Sequence, residues 1–529
     1  MKFPPTPEQT AILEAEATTP ANLMLIARAG AAKTTTLEML AESIAARELR
    51  SRGWSSDGTS WFLSDNQPAL SLADAYRAAR CPERQILCLA FNTAIAKEMA
   101  TRLPPNCEAK TMHSIGLAAW GKFLGRRTTT EKDKLYTLLK AAVDAVDPSE
   151  RAAANETFSE TLGYLREGKS AGWVPESFPG HWKPLLSDAD FFSSLETDIS
   201  PLQEELLISV SEKSWRQTLA GAIDFDDMVL APAICQVRFD FFPLVMVDES
   251  QDLSPLNHAI LWKLARRSRL IAVGDPCQAI YGFRGAEENS MELLEKRFSC
   301  RKLYLTTTFR CARAIVTEAQ WRAPDMQAAP NAPSGQVLHL AEWQLSSIPE
   351  DAAILCRNNA PLYSLALKLL RAGRYPELSG RDFTRGLLNI LRKLGKASLD
   401  TPNVLARIDA WQAKELDRTK EKAHASIRDK AACLRLFAEM GEDLGSAIAF
   451  AENVLHREGR IKLLTGHKSK GLEFNTVFIL DRKLIRMKGQ DPNILYVMQT
   501  RARNQLSYID SGSLVEGDMA RSTIKSAIP

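Results

Sequence analysis

The chain has 529 residues, 45% of them hydrophobic and 25% charged, so its length excludes a single core and predicts three or four domains. A formal net charge of +3 excludes a surface that is strongly basic overall, and any nucleic-acid site would therefore be a local groove. The nine cysteines follow no CxxC or zinc spacing, and no secretory signal or membrane-spanning run is visible, which predicts reduced thiols, no membrane partner and a place in the cytoplasm.

Two sets of short apolar runs predict the strands of two parallel α/β sheets, because each run is followed by a polar turn and a helix-like stretch. The first set comprises 22–27, 86–90, 244–248 and 270–274. The second set comprises 303–306, 353–356, 461–465 and 476–480. Ligands bind at the carboxyl ends of the strands in such sheets, so the residues just after these runs are the candidate functional residues.

Helix-like stretches between the strands predict one helical insertion in each α/β domain. The first insertion, about 119–215, contains predicted helices at 132–147 and 150–167. The second, about 381–458, contains predicted helices at 384–394, 404–415 and 425–440. Residues 51–69 are rich in Gly, Ser and Asp and predict a surface loop, and 323–335, with three prolines, predicts a connector.

The segment ARAGAAKTT, residues 27–35, lies between an apolar strand and a helix, which is the context of a phosphate-binding loop. Lys33 would neutralise the β- and γ-phosphates, and the Thr34 hydroxyl would be a ligand of Mg²⁺. Arg28 and Ala32 stand where such loops usually carry glycine, whereas Gly30 is retained. Backbone N–H groups of the loop and the start of the helix would surround the phosphates, which adds Ala29, Gly30, Ala31, Ala32 and Thr35 to the predicted nucleotide contacts.

Two further strand ends carry groups suited to phosphoryl transfer. In VMVDESQD, Asp248 would hold Mg²⁺ and Glu249 would orient or deprotonate the attacking water. In AVGDPCQAIYGFRGA, Gln278 would sense the γ-phosphate. The same segment continues with aromatic and basic side chains that can stack on and clamp bases, namely Tyr281, Phe283 and Arg284.

The order of these motifs resembles that of the UvrD/Rep (superfamily 1A) DNA helicases, and residues 86–119 resemble the F-box DNA helicase branch. The resemblance extends from Gln9 to about Arg503 and implies two RecA-like parallel-sheet motor domains, each with a helical insertion. It assigns the first motor domain to 1–118 and 216–300 and its insertion to 119–215. The second motor domain would take 301–380 and 459–529, with a small insertion at 381–458.

The resemblance also implies roles for residues outside the three segments above. For the nucleotide, Gln9 would hydrogen-bond adenine, Phe309 would stack on it, Glu473 would reach the ribose, and Arg310 and Arg501 would be arginine fingers. Thr35 stands where relatives often carry an adenine-contacting arginine. For single-stranded DNA, the implied contacts are Phe91, Asn92, Thr111, His113, Arg357, Asn359 and His467, the last also coupled to Gln278.

The function implied is an ATP-dependent, Mg²⁺-requiring DNA helicase or translocase that moves 3′ to 5′ on single-stranded DNA and acts at single-strand/duplex junctions. It would work as a monomer in the cytoplasm of a bacterial or phage-infected cell, with DNA repair among its possible pathways. One alternative is a single-stranded DNA-binding regulator whose altered phosphate loop binds ATP but hydrolyses it poorly. A helicase–nuclease subunit is disfavoured, because only about 25 residues follow the last motif. An RNA substrate remains open.

Overall fold

The computed structural model describes residues 4–63, 69–282, 289–378, 381–455 and 459–515. The chain divides into two compact units, Met1–Thr306 and Thr307–Pro529. Within the described ranges, no helix combines the length and apolarity needed to cross a bilayer.

A six-stranded sheet forms the centre of the first unit. The strands of this unit are β1 (Leu23–Ala27), β2 (Ser55–Ser56), β3 (Trp61–Phe62), β4 (Ile86–Ala90), β5 (Cys107–Thr111), β6 (Thr129–Thr130), β7 (Ala222–Ile223), β8 (Leu244–Val247), β9 (Arg269–Gly274) and β10 (Arg301–Leu305). The central sheet has the order β10-β1-β9-β8-β4-β5, and every pairing in it is parallel. Separate apolar clusters cover its two faces, which explains why its inner strands are continuous hydrophobic runs.

The helices of the first unit flank this sheet and form the first insertion. They are α1 (Pro7–Thr18), α2 (Lys33–Ser51), α3 (Leu72–Ala78), α4 (Thr93–Arg102), α5 (Met112–Leu124), α6 (Lys134–Ala145), α7 (Arg151–Glu156), α8 (Phe158–Ala171), α9 (Asp188–Ser194), α10 (Pro201–Leu219), α11 (Asp227–Ile234), α12 (Pro255–Ala265) and α13 (Ser290–Phe298).

The helices α6 to α10 enclose an apolar core of their own. Buried ion pairs join this insertion to the start of α11: Lys134 contacts Asp227 at 2.8 Å, and Lys169 contacts Asp224 at 2.6 Å and Asp227 at 2.7 Å. Because buried charges are tolerated only when they are paired, these contacts fix the insertion in one orientation on the sheet of the first unit.

A second six-stranded parallel sheet forms the centre of the second unit. The strands of this unit are β11 (Thr307–Thr308), β12 (Gln327–Ala328), β13 (Gln336–His339), β14 (Ala353–Cys356), β15 (Pro376–Leu378), β16 (Ile461–Thr465), β17 (Phe474–Leu480) and β18 (Ala502–Ile509). The sheet order is β13-β18-β17-β14-β16-β15.

The helices of the second unit again combine sheet-flanking helices with a helical insertion. They are α14 (Arg313–Ala319), α15 (Ala360–Arg371), α16 (Arg381–Lys393), α17 (Thr401–Arg418), α18 (Glu421–Ala438), α19 (Leu444–Leu455), α20 (Gly466–Ser469) and α21 (Asp491–Gln499). The insertion, α16 to α19, has its own apolar core, which also includes Tyr363 of α15.

The predicted fold class, α/β with two parallel sheets and helical insertions, is confirmed, but three details of the prediction were wrong. The run 303–306 was assigned to the second sheet, whereas β10 pairs with β1 in the first. Residues 51–69 were predicted to be a surface loop, but β2 and β3 form a small hairpin in which Trp54 and Trp61 pack against Tyr76. The predicted helix at 150–167 is interrupted at Thr157, between α7 and α8.

Candidate nucleotide site and nucleic-acid surface

The loop between β1 and α2 has the backbone of a phosphate-binding loop. Gly30 and Ala32 both have positive φ angles, of 72° and 56°, and α2 begins directly afterwards at Lys33. The Arg28 N–H donates to the carbonyl of Leu305 in β10 at 2.8 Å, which ties the start of the loop to the sheet. The loop therefore turns sharply into the helix N-terminus, where free N–H groups and the helix dipole favour an anion.

The loop meets the carboxylates that follow β8. Lys33 Nζ donates to Glu249 Oε2 at 2.7 Å, and Thr34 Oγ1 donates to Asp248 Oδ2 at 2.9 Å. Glu249 has a φ of 51°, and this left-handed residue turns the chain from the strand into a short 3₁₀ helix. Two segments more than 200 residues apart in sequence thus place a lysine, a hydroxyl and two carboxylates at one end of the sheet.

The pKa values of Asp248 and Lys33 are both raised in this group. Burial and the neighbouring Glu249 carboxylate raise the pKa of Asp248 to about 6. Burial alone would lower the pKa of Lys33, but the carboxylates of Glu249, Asp248 and Asp275 outweigh it and raise that pKa, so Lys33 stays protonated. The Thr34 hydroxyl and the Asp248 carboxylate are hard oxygen ligands of the kind that Mg²⁺ prefers. The residues present therefore fit a magnesium–nucleotide complex.

The end of β9 lies against the same group. Gly274 has no side chain, and a Cβ there would lie 2.5 Å from Gln251 Oε1 and 2.8 Å from Ser250 Oγ, so the backbone can approach only because the residue is glycine. Gln251 Oε1 accepts the Asp275 N–H at 3.0 Å, and Gln251 Nε2 donates to Glu249 at 2.6 Å. The predicted sensor Gln278 donates its Nε2 proton to Asp275 Oδ2 at 2.7 Å.

Gln9, the predicted adenine contact, is buried at the start of α1. Its Oε1 accepts the N–H of Thr6 at 3.0 Å, and its Nε2 donates to Thr36 Oγ1 at 3.0 Å. Thr36 in turn donates to the carbonyl of Ala32. Gln9 is therefore connected to the phosphate loop through Thr36, and its adenine contact stays a prediction. Thr35 is partly exposed in the first turn of α2.

Aromatic side chains of the first unit form a candidate base-stacking surface. Phe91, 47% exposed, stacks on Tyr281 with ring centroids 5.9 Å apart and planes 8° from parallel. His113 stacks on Phe225 at 3.9 Å. Burial lowers the pKa of His113 to about 4, so its ring is neutral at physiological pH. Phe91, His113 and Tyr281 line one pocket of about 190 Å³, and their faces suit the faces of bases.

Phe225 was not predicted, although it is 61% exposed beside His113. Its signal in the sequence is an aromatic residue between the acidic residues of DFDDM, residues 224–228.

Asn92 and Thr111, predicted DNA contacts, are both helix N-caps. Asn92 Oδ1 accepts the Ile95 N–H at 2.9 Å, and Thr111 Oγ1 accepts the Ser114 N–H at 3.2 Å. These bonds satisfy N–H groups that a helix leaves unpaired in its first turn. The two residues lie after β4 and at the end of β5, at the same edge of the sheet as Phe91.

In the second unit, the predicted nucleotide residues lie near β17 and β18. Phe309 is 54% exposed. Arg310 Nε donates to Glu473 Oε2 at 2.7 Å, and Arg503 also donates to Glu473. Burial would raise the pKa of Glu473, but hydrogen bonding to Arg503 and the charge of Arg310 lower it overall, so the side chain is a carboxylate.

Arg501 is only 1% exposed. Its guanidinium donates to the carbonyls of Val497 at 2.9 Å and Leu472 at 3.0 Å and to Thr500 Oγ1 at 3.3 Å. A role as an arginine finger would require Arg501 to exchange some of these contacts for a phosphate, and it stays a prediction.

The predicted DNA contacts of the second unit are held by carboxylates. Arg357 Nε donates to Asp491 at 2.8 Å. The side-chain amide of Asn359 donates to Asp429 in α18 at 3.1 Å. His467 is partly buried in α20. Its coupling to Gln278 would join the two units and stays a prediction, while Phe283 and Arg284 lie outside the described residues.

A phosphate loop facing adjacent Asp and Glu residues at the carboxyl edge of a parallel sheet defines a P-loop nucleotide-binding protein. Residues 71–299 match the UvrD/REP helicase N-terminal domain, and residues 461–508 match the UvrD-like helicase C-terminal domain. The chain therefore belongs to the UvrD/Rep helicase family.

Individual relatives agree with this assignment. F-box DNA helicase protein 1 of Schizosaccharomyces pombe is 23% identical over 488 residues, which cover 81% of this chain and 53% of the relative. ATP-dependent DNA helicase srs2 of the same yeast is 25% identical over 59% of this chain and 38% of its own length. Gabija protein GajB of Bacillus cereus is 25% identical over 52% of this chain and 65% of its own. The matches thus span about half or less of the two yeast helicases.

Proposed function

We propose that this chain is an ATP-dependent DNA helicase or translocase that moves 3′ to 5′ on single-stranded DNA. The observation that carries the proposal is the direct pairing of Lys33 with Glu249 and of Thr34 with Asp248, because it joins the phosphate loop to the two carboxylates that phosphoryl transfer needs. The names of the similar helicases support DNA as the substrate, and the 3′ to 5′ direction follows from the family resemblance.

In the proposed reaction each side chain of the first unit has a separate task. Lys33 leaves Glu249 for the phosphates, and this frees the Glu249 carboxylate to orient the attacking water and accept its proton. Thr34 and Asp248 would hold Mg²⁺, which would supply positive charge to neutralise the β- and γ-phosphates. Gln278 reports the presence of the γ-phosphate, and its bond to Asp275 fixes its side chain for that purpose.

We propose that Arg310 and Arg501 of the second unit stabilise the charge of the transition state. An arginine finger contributes roughly 10³–10⁵ in rate, so hydrolysis that depends on residues of both units would be coupled to their relative movement. Glu473, which binds Arg310 in the described structure, would hold that arginine until a nucleotide competes for it.

DNA would be held by stacking rather than by base-specific hydrogen bonds. Phe91 and Tyr281 present nearly parallel rings, and each base–aromatic stack contributes about 1–3 kcal/mol whatever the base. Such stacks are strong enough to hold a strand and weak enough to release it in each cycle.

A second candidate function is a DNA-binding regulator that binds ATP but turns it over poorly. The observation in its favour is the left-handed backbone of Ala32, where a side chain is strained and where glycine would be relaxed. The paired Lys33 and Glu249 favour the motor, because a binding protein has no need of a residue that activates water.

Steady-state ATP hydrolysis with and without single-stranded DNA decides between the two functions. We expect DNA to stimulate turnover in the wild type. Lys33→Ala should abolish turnover, and Glu249→Gln should lower kcat by about 10²–10⁴ while nucleotide binding persists. Binding of both ATP and DNA without turnover in the wild type would reject the motor and support the regulator. Unwinding of substrates with a 3′ or a 5′ tail then tests the direction.

A further inference from the structure

Arg28 is an unusual residue for a phosphate loop, and its side chain is directed to the segment after β9. Arg28 Nη1 lies 3.4 Å from Asp275 Oδ1 and 3.4 Å from Cys277 Sγ. The Arg28 side chain is 12% exposed, and the Asp275 side chain is fully buried. A buried carboxylate is costly unless cations and hydrogen-bond donors surround it, and Arg28 is one of the groups that surround Asp275.

Asp275 connects Arg28 to Gln278. Its Oδ1 faces Arg28 and accepts the Cys277 N–H at 3.1 Å, while its Oδ2 accepts the Gln278 Nε2 proton at 2.7 Å. A carboxylate is planar, and so is a carboxamide. Fixing one oxygen of Asp275 therefore orients the other, and through it the plane of the Gln278 amide.

We infer that Arg28 is a positioning residue for γ-phosphate sensing: acting through Asp275, it sets the orientation of Gln278 when a nucleotide occupies the loop. The inference rests on the proposed function, in which Gln278 is the sensor. It gives a role to Arg28, which stands where phosphate loops usually carry glycine. A glycine at this position could not make these contacts, so this chain links its phosphate loop to the segment after β9 by a side chain.

The inference predicts a change in nucleotide discrimination rather than in nucleotide binding as a whole. ATPγS and ADP share the α- and β-phosphates and differ in the third group, which is the group that Gln278 is proposed to sense. In Arg28→Met we expect the affinity for ATPγS to fall about tenfold and the affinity for ADP to stay within about twofold, because a charge-assisted contact is lost only on the sensing path. Arg28→Lys, which keeps the charge, should retain most of the discrimination.

The link through Asp275 is tested by a double-mutant cycle with Asp275→Asn. If Arg28 acts through Asp275, adding Arg28→Met to Asp275→Asn should not further reduce the discrimination between ATPγS and ADP. Arg52→Met is the matched control, since Arg52 pairs with Glu48 at the exposed end of α2 and should leave both affinities unchanged.

The experiment measures affinities of the wild type and these variants for ATPγS and ADP in the presence of Mg²⁺, together with ATP turnover with and without DNA. Equal losses for both nucleotides in Arg28→Met would overturn the inference, because Arg28 would then act on the shared phosphates. Unchanged affinities, independent effects of Arg28 and Asp275, or a wild type that binds both nucleotides equally would also overturn it. ATP turnover that DNA does not stimulate would reject the proposed function instead. The ratio of the affinities for ATPγS and ADP would still test the role of Arg28 in that case.

Discussion

Asp429 of the second insertion caps the helix that follows β14. Its Oδ2 accepts the backbone N–H of Asn359 at 3.0 Å, and its Oδ1 accepts that of Ala360 at 3.0 Å. Asn359 is the N-cap residue of α15 but makes no side-chain cap bond to that helix. The cap is therefore supplied from α18, 70 residues later in the chain, and the insertion is fixed to the segment that carries Arg357 and Asn359.

We expect Asp429→Ala to lower the free energy of unfolding by about 1–2 kcal/mol, since the first turn of α15 loses its acceptor. Asp429→Asn keeps one oxygen and should lose less. Urea unfolding measures both. The control is Asp409→Ala in the same insertion, because Asp409 is exposed and its contact with Arg435 should contribute little. Equal effects of Asp429→Ala and Asp409→Ala would show that Asp429 is not a cap.

Replacing Ala32 by glycine should stabilise the protein. Ala32 has a φ of 56°, where a β-carbon is strained, and relief of that strain exceeds the added flexibility of the unfolded chain. The expected gain in unfolding free energy is about 0.5–1 kcal/mol. Ala31→Gly is the control and should destabilise by a similar amount, because the φ of Ala31 is negative. Thermal unfolding of both variants measures whether each one gains or loses stability, and a loss of stability in Ala32→Gly would contradict the prediction.

His258 should make the first unit less stable in acid. It is 6% exposed, and burial together with the charge of Arg297 lowers its pKa from 6.5 to about 4. The unfolded chain therefore binds a proton between pH 6.5 and 4 that the folded chain does not. The contribution of His258 is complete above pH 6.5 and is lost as the pH falls toward 4, by at most about 3 kcal/mol.

His258→Gln should accordingly flatten the dependence of unfolding free energy on pH between 6.5 and 4. The control is His181→Gln, at an exposed position, which should leave the slope unchanged. The measurement is urea unfolding at several pH values, and a slope that is the same in His258→Gln and in the wild type would refute the prediction.

Phe91→Ala should weaken binding of single-stranded DNA about 10- to 100-fold, because it removes one base-stacking ring and exposes the face of Tyr281. The dependence of affinity on salt should not change, since no charge is removed. Fluorescence anisotropy with a labelled oligothymidine measures both quantities. Phe241→Ala, at a 62% exposed phenylalanine, is the control. If Phe91→Ala bound single-stranded DNA with the affinity of the wild type, the surface formed by Phe91 and Tyr281 would be excluded as the DNA-binding surface.

The sequence predicted the buried strands well because their hydrophobic runs are continuous. The strands at 86–90, 353–356 and 461–465 were placed to the residue. Edge and polar strands were missed for the opposite reason: β5 has the sequence CEAKT and is only partly buried, and half of β18 is polar. The order of the strands in the sheet could not be predicted from the hydrophobic pattern either, since β10 lies at the end of the first unit in sequence and pairs with β1 near its beginning.

The residues of the candidate nucleotide site could be predicted from the sequence, whereas the contacts that hold the surrounding segments in place could not. Lys33, Thr34, Asp248 and Glu249 were identified by motif, and the structure brings them together. The links from Arg28 to Asp275 and from Asn359 to Asp429 join residues distant in sequence and of ordinary type. Hydrophobic periodicity and motif spacing do not predict such pairs, because the pairs depend on how the helices and strands pack in the folded protein.

The pairing of β1 with β10 also has a consequence for how the protein is made. A ribosome adding roughly 5–20 residues per second synthesises β1 early and β10 about 280 residues later, so β1 waits many seconds for this neighbour. The contact of Arg28 with Leu305 closes only then. β9, the other neighbour of β1, is also made late, so both edges of β1 stay uncovered for most of this interval, and an uncovered strand edge can pair with the wrong partner.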